Sequence, residues 1–202
     1  MTDISRVDAS LASEVAQRLA SMSVEVTEGY GDVTVTLTSP QNWVPVLREL
    51  RDQLHFSFFD WLSAVDEGDG RFSIFCHLYD PDAHRRVLAH TVVGGEVDGS
   101  APRIESATSV YRGAAWHERE TSEMFGVQFT GHPYPERLLL SDEFEGHPLR
   151  KDFVLTARAS KSWPGAKEPG ESGDGAPSRR KMQPPGVPDP SWGPHETGSS
   201  DG

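Results

Sequence analysis

Apolar residues in the first part of the chain recur with two different periods. Over residues 11–22 they are spaced three to four positions apart, which predicts an amphipathic helix. Residues 24–37 alternate apolar and polar side chains around glycines 29 and 31, a pattern typical of two strands joined by a turn. After Ser39-Pro40, a second helical face is formed by Trp43, Val46, Leu47, Leu50 and Leu54.

Three strand-like runs follow the second helix. They span residues 58–65, 71–79 and 87–93, and the turn sequences DEGDGR and DPDAHRR connect them. The order is therefore helix, two strands, helix, three strands. This order predicts an α+β domain over residues 1–100, with helices packed on a mixed or antiparallel sheet.

The pattern changes at Pro102. The stretch AAWHERETSEMFG predicts a short helix that ends at Gly126, and prolines at 133, 135 and 148 then prevent long regular elements. Residues 101–155 are accordingly predicted to be this helix followed by an extended segment. Residues 156–202 contain 8 of the 19 glycines and 8 of the 15 prolines, with few apolar side chains, and are predicted to be a disordered tail.

Net charge, apolar run length and cysteine count limit the partners and cofactors that the chain is expected to bind. The net charge is −12, and it falls on residues 1–155, so a nucleic-acid partner is not expected. No apolar run reaches the length of a membrane helix and the N-terminus lacks a signal-peptide pattern, which predicts a cytoplasmic chain without a membrane span. The lone Cys76 lies in an alternating apolar stretch, where a buried strand cysteine is expected. A single thiol cannot hold an iron–sulfur cluster.

Gly-His-Pro occurs twice, at 131–133 and 146–148, and allows two interpretations. With His117, the two histidines could supply ligands to a metal, although their spacing matches no known ligand geometry. Alternatively, each glycine permits a sharp bend, each proline favours extended geometry at the histidine, and the ring fixes the turn by bonding a backbone carbonyl. The structural interpretation is favoured.

The two stretches WHERETSEMFGVQFTGHP and RLLLSDEFEGHPLRKDF closely resemble the signature of the 30-kilodalton subunit family of respiratory complex I, the C subunit of bacterial NADH:quinone oxidoreductase. The helix-and-strand order of residues 11–108 also fits the α+β domain of that family. Three places differ from the usual pattern: Glu123 stands where aspartate is common, and Glu136 where a basic residue is common. Gly113-Ala114-Ala115 replaces a more usual Ala-Asn ahead of the tryptophan.

The resemblance implies a scaffold subunit without a catalytic, cofactor-binding or metal site of its own. It would lie in the peripheral arm of a proton-translocating complex, on the cytoplasmic side of the plasma membrane, and dock chiefly onto the quinone-site subunit. Iron–sulfur clusters, FMN, NADH and quinone would belong to partner subunits. The expected interface residues are Trp116, Glu118, Arg119, Glu120, Glu123, Phe125, His132, Arg137, His147, Arg150, Lys151, Asp152 and Phe153.

Within this set, Arg119 is expected to pair with acidic neighbours on its own helix, and Arg150 to be solvated in the free chain. Two alternatives to the scaffold function stay open. One is the equivalent subunit of a membrane-bound hydrogenase or formate-linked complex. The other, of a different class, is a free-standing His/Glu metalloenzyme that uses His117, His132 and His147.

Overall fold

The computed structural model describes residues 9–29, 32–94 and 101–153. Its elements follow the predicted order, with two short strands that the sequence pattern did not reveal. The helices are α1 (Ala9–Arg18), α2 (Trp43–Asp52) and α3 (Ala114–Phe125). The strands are β1 (Val24–Glu28), β2 (Val33–Leu37), β3 (Phe58–Gly68), β4 (Arg71–Asp80), β5 (Arg85–Gly94), β6 (Arg103–Glu105) and β7 (Gln128–Thr130). The predicted disordered tail lies outside the described residues.

Five strands form one sheet in the order β1-β2-β5-β4-β3. Three neighbouring pairs are antiparallel, but β2 and β5 are parallel, so the sheet is mixed. The α+β prediction is therefore confirmed. Strands β6 and β7 form a separate parallel pair, and α3 is the helix that connects them.

The start of α2 differs slightly from the sequence prediction. Pro40–Asn42 form a single 3-10 turn before the α-helix begins at Trp43. The Ser39 hydroxyl caps neither element and instead bonds the Gln41 side chain. The turn moves the helix start three residues later and still brings the predicted apolar face of α2 into the core.

One face of the five-stranded sheet is buried and the other is largely open. Alternate side chains of β2 to β5 pack against α1, the turn after it and α2. On the helical side, Leu19, Trp43 and Leu47 have no exposed surface. Cys76 also lies in this core, as predicted, and burial raises the pKa of its thiol. On the open face, the aromatic rings of β3 and β4 are only partly covered, and Val92 is exposed.

Residues on both sides of position 100 contribute to this core. Ile104, Ala107, Val110, Tyr111 and Phe129 are buried in the same cluster as the sheet. The Tyr111 hydroxyl donates to the Phe56 carbonyl over 2.8 Å, which ties the β6–α3 connection to the chain after α2. Helix α3 is thereby fixed beside β3, the edge strand of the sheet.

Histidine 117 bonds the backbone of β3 at the edge of the sheet. Its Nδ1 atom lies 3.3 Å from the amide nitrogen of Leu62 and 3.2 Å from the Leu62 carbonyl oxygen. Its ring also packs edge-on against Phe59, at 5.2 Å between ring centres. An uncovered edge strand invites pairing with another chain, so α3 protects this edge. None of the helices in the described part of the chain is long and apolar enough to cross a membrane.

Candidate docking surface

Helix α3 ends where the sequence predicts. Gly126 has φ 74°, in the left-handed region that glycine adopts at low cost, and its N–H donates to the Ser122 carbonyl. Strand β7 follows, and the chain then turns back along the helix. We call residues 131–153 the strap. The strap contains no helix or strand, yet much of it is fixed to α3 by hydrogen bonds.

The two Gly-His-Pro turns attach the strap to the two ends of α3. Gly131 and Gly146 have φ values of 81° and 91°, which produce the predicted bends. The His132 Nε2 atom lies 3.0 Å from the Ala115 carbonyl oxygen, and the His147 Nδ1 atom lies 2.8 Å from the Glu123 carbonyl oxygen. The structural interpretation of the repeat is confirmed: each ring bonds a backbone carbonyl and fixes its turn.

The strap also completes the C-terminus of α3. The last four carbonyl groups of a helix find no N–H donor within the helix and need donors from outside. In α3 these carbonyls receive, in order, the Gly126 N–H, the His147 ring N–H, the Leu149 N–H and the Arg150 side chain. The Arg150 charge also lies at the negative end of the helix dipole, a favourable position.

Arginine 150 is partly buried and bonded within the chain, which corrects the expectation that its side chain is fully solvated. Its Nε atom donates to the Phe125 carbonyl over 2.6 Å, and its guanidinium lies 5.2 Å from the centre of the Phe72 ring. The next residue extends the attachment, since the Lys151 N–H donates to the Asp66 carboxylate over 2.8 Å. Thus the end of the strap joins α3 to the β3–β4 hairpin.

The buried Asp66 carboxylate is stabilised in its ionised form. Burial by itself raises its pKa, but the N–H groups of Lys151 and Gly68, with the nearby charges of Lys151 and Arg150, outweigh burial. The pKa of Asp66 is therefore lowered below its ordinary value.

Arginine 119 also bonds the strap, and not its acidic neighbours on α3. Its side chain donates to the Glu136 carbonyl over 2.7 Å and to the Arg137 carbonyl over 2.5 Å, and it lies 5.2 Å from the centre of the Tyr134 ring. Arg137 in turn donates to the Ser141 and Phe144 carbonyls. The expected local Glu–Arg pairing on the helix is thus wrong. Both arginines organise the strap from within the chain.

Glutamate 123 holds the middle of the strap. Its buried carboxylate accepts hydrogen bonds from three successive backbone N–H groups, those of Leu138, Leu139 and Leu140, over 3.4, 2.8 and 2.9 Å. An acid at this position of the signature therefore has a defined structural role. Sequence reasoning missed this role because backbone N–H groups leave no mark in a sequence.

Glutamate 118 is fully buried, with 0% of its surface exposed. One carboxylate oxygen accepts from the Ala107 N–H and the other lies next to the Ser106 hydroxyl, both over 2.6 Å. Burial raises the pKa of this carboxyl to about 7, although the hydroxyl and the N–H oppose the shift. The carboxyl is bonded within its own chain, and Phe125 is likewise internal, with its ring packed edge-on against Phe72.

The remaining members of the predicted set lie at the surface. Glu120, Lys151 and Asp152 are exposed, and Phe153 is half-buried against the Phe144 ring. Trp116 is the most exposed large apolar side chain of the described residues, at 66%. Three strap residues are similarly exposed: Tyr134 and Leu139 at 60% each, and Leu149 at 56%.

The three candidate metal-binding histidines do not share a site. His117 bonds the backbone of β3, whereas His132 and His147 bond carbonyls near opposite ends of α3. Within the described ranges, no group of three or more His, Cys, Asp or Glu side chains lies close enough to hold a metal ion.

Comparison with known proteins decides the family. The family model for the respiratory-chain NADH dehydrogenase 30-kDa subunit matches residues 36–159, from β2 through the strap. The chain belongs to this family. Within it, a C subunit of the NADH-quinone oxidoreductase of Rhizobium meliloti is 39% identical over 150 residues, 72% of each protein. The C subunit of Citrifermentans bemidjiense is 38% identical over 144 residues, which cover 70% of this chain and 86% of that protein.

Other matches extend the comparison. The C subunit of Roseiflexus sp. is 43% identical over 131 residues, 63% of this chain and 72% of that protein. Among solved structures, a chain of an archaeal membrane-bound sulfane sulfur reductase covers 83% of this chain and 97% of its own length, with a TM-score of 0.58. Its sequence is 19% identical, so this likeness concerns the fold alone and not the chemistry.

Proposed function

We propose that the chain is a non-catalytic scaffold subunit in the peripheral arm of a proton-translocating NADH:quinone oxidoreductase. In this proposal, α3 and the strap dock onto the subunit that forms the quinone site. The observation that carries the proposal is a long segment without regular secondary structure that is nevertheless bonded along a helix and exposes large apolar side chains.

Prior attachment favours binding because it lowers the entropy lost on association. A free segment of this length would have to be ordered when the complex forms, which costs on the order of 0.5–1.5 kcal/mol for each immobilised side chain. The strap is already held by the Arg119, Glu123, His132, His147 and Arg150 side chains. Its exposed surface is therefore prepared in advance for a partner.

The apolar side chains supply the expected binding energy. Trp116, Tyr134, Leu139 and Leu149 account for four of the eight large apolar residues that are exposed in the described chain. Tryptophan and tyrosine are among the residue types that most often dominate protein interfaces. Docking is expected to rely mainly on these rings and leucines, because the charges of Arg119, Glu123 and Arg150 are already engaged within the chain.

Exposed charges can orient a partner. Three members of the predicted interface set, Glu120, Lys151 and Asp152, are among the exposed charges of α3 and the strap. Charges at the rim of an interface mainly change the association rate and the choice of partner. We therefore expect these three residues to guide docking, while the apolar group provides most of the affinity.

Electron transfer is assigned to the partner subunits in this proposal. The sequence contains one cysteine, and the Cys76 thiol is buried inside the sheet, so the chain lacks the thiolates that an iron–sulfur cluster requires. The clusters, FMN, NADH and quinone would be bound by neighbouring chains of the peripheral arm, on the cytoplasmic side of the membrane.

The alternatives are less well supported. Relatives that are 35–43% identical are named as C subunits of NADH-quinone oxidoreductase, which favours this complex over a hydrogenase or formate-linked one. A free-standing metalloenzyme would need its three histidines in one place, and each of them bonds a different part of the backbone.

Paired variants test the proposal. Leu139→Ser and Tyr134→Ser remove exposed apolar groups and should leave the free chain folded, because neither side chain contributes to its core. Loss of one dominant interface residue costs about 2 kcal/mol, or about thirtyfold in affinity. We expect each variant to co-purify poorly with the quinone-site subunit. The melting temperature should be unchanged in Leu139→Ser and slightly lowered in Tyr134→Ser, which loses the ring beside Arg119.

Val92→Ser is the matched control, because Val92 is also exposed but lies on the open face of the sheet. It should co-purify like the unmodified chain. Equal recovery of all three variants with the quinone-site subunit would show that the strap surface is not the docking site.

A further inference from the structure

The carboxyl group of Glu118 lies in an unusual setting for an acid. It has no exposed surface, and the nearest described side chain able to carry a positive charge is His132, whose Nε2 atom is 3.9 Å away. That ring fits its neutral form, because Nδ1 accepts the Tyr134 N–H over 3.0 Å, so Nε2 is the atom that donates to the Ala115 carbonyl. Among the described residues, the buried carboxyl therefore lacks a cationic partner.

Glu118 shares the lining of a cavity with Arg119 and Arg137, and with the titratable groups Glu123, Glu136 and His147. Both arginines donate to strap carbonyls, and neither forms an ion pair with Glu118 among the described residues. Cys76 of β4 interacts electrostatically with Glu118, and its buried thiol is neutral at ordinary pH. The connection between β6 and α3 contributes Ser106, Thr108 and a backbone N–H, all of them uncharged. An ionised carboxylate that is buried without a counter-charge is costly, and such groups commonly take up a proton.

A chain of two hydroxyl groups leads from this carboxyl toward the surface. The Ser106 Oγ atom lies 2.6 Å from the Glu118 carboxyl and 2.7 Å from the Thr108 Oγ1 atom. Ser106 is buried, whereas Thr108 is partly exposed. We propose that Glu118 is a proton-binding site that exchanges its proton with solvent through Ser106 and Thr108.

Hydrogen bonding is complete in both protonation states, which is what a relay requires. With Glu118 ionised, the Ser106 hydroxyl donates to the carboxylate and accepts from the Thr108 hydroxyl and the Thr108 N–H. With Glu118 protonated, its O–H donates to Ser106, which still accepts the Thr108 N–H and now donates to the Thr108 hydroxyl. Ser106 donates once and accepts twice in each case.

The transfer step balances by successive shifts along these bonds. A hydronium ion of the solvent gives a proton to Thr108 Oγ1 and leaves as water, while that hydroxyl releases its own proton to Ser106 Oγ. Ser106 then releases its original proton to the Glu118 carboxylate. One proton enters at the surface and one is bound at the carboxyl, while both hydroxyl groups are regenerated. The Ala107 N–H stays on the other carboxyl oxygen throughout.

Carbon-13 NMR of the side-chain carboxyl groups in the full chain tests the site. We expect one glutamate resonance with a titration midpoint near pH 7, in place of the ordinary 4.5. It should disappear in Glu118→Gln and persist in Glu120→Gln, which removes an exposed acid from the same helix. A Glu118 resonance that titrates near 4.5 would overturn the assignment. Through-bond assignment from the Glu118 backbone in the unmodified chain identifies this resonance even if a variant fails to fold.

A pH-jump measurement of the same carboxyl, followed by its infrared band, tests the relay. Thr108→Val removes the outer hydroxyl while keeping the N–H that bonds Ser106, so protonation should become slower at an unchanged midpoint. Thr108→Ser restores a hydroxyl and should restore the rate. An unchanged rate in Thr108→Val would overturn the relay and assign exchange to the cavity of about 170 Å3 that Glu118 also lines.

Discussion

Replacing Arg150 by alanine should destabilise the free chain. The side chain provides a charge-assisted hydrogen bond to the Phe125 carbonyl and a cation–π contact with Phe72. The first contributes about 1.5–3 kcal/mol and the second about 0.5–1 kcal/mol. The substitution also leaves the last carbonyl of α3 without its donor. A total near 3 kcal/mol corresponds to a fall in melting temperature of about 6–12 °C for a chain of this size.

Thermal unfolding and hydrogen exchange would measure this effect. Exchange of the Leu149 N–H, which bonds the Met124 carbonyl, should accelerate in Arg150→Ala because the end of the strap is released. Lys151→Ala is the matched control, since alanine keeps the backbone N–H that bonds Asp66 and only the nearby charge is lost, so it should cost much less than Arg150→Ala. Normal melting and normal exchange in Arg150→Ala, with reduced partner binding, would contradict the internal role and restore a purely interfacial one.

Three further perturbations address the attachment of the strap. Glu123→Gln should cost about 1–3 kcal/mol and speed exchange of the N–H groups at 138–140, because a neutral amide replaces the carboxylate that accepts all three. Gly126→Ala should cost about 1–3 kcal/mol, since φ is 74° and a methyl group would meet the His147 ring. The lowered pKa of Asp66 contributes stability that is present above its unfolded pKa and lost as pH falls through its folded pKa, so Asp66→Asn should flatten the acid side of the stability curve.

Two of these perturbations have a control in the same region. Glu120→Gln changes the same charge on the exposed face of α3 and should leave exchange in the strap unchanged. Gly131→Ala also replaces a left-handed glycine, but no described atom crowds its added methyl group, so it should cost less than Gly126→Ala. If the free energy of unfolding falls equally steeply with decreasing pH in Asp66→Asn and in the unmodified chain, other carboxyl groups control acid unfolding.

The sequence predicted what depends on local patterns. Helical and strand periods in the first hundred residues gave the correct order of elements, and Gly126 marked the end of α3. The short strands β6 and β7 were missed because three residues are too few to show a period. Local patterns could not predict the parallel pairing of β2 with β5 either, because it joins segments about fifty residues apart.

The hydrogen-bond partners of the charged side chains were harder to predict, for a different reason. Arg119 and Arg150 bond backbone carbonyls, and every residue has one, so the sequence contains no sign of the acceptor. The burial of Glu118 did leave a signal. Ala114, Glu118, Thr121 and Phe125 are spaced four, three and four residues apart and form the buried stripe of α3. A search for helical stripes that includes charged residues would have found it.

Site-specific photo-crosslinking in native membranes tests the docking proposal most directly. A photoreactive amino acid at position 139 would probe the strap, and the same residue at position 92 would probe the open face of the sheet. The proposal predicts a crosslink from position 139 to the quinone-site subunit, identified by mass spectrometry, and none to that subunit from position 92. A crosslink to the quinone-site subunit from position 92 alone would contradict it.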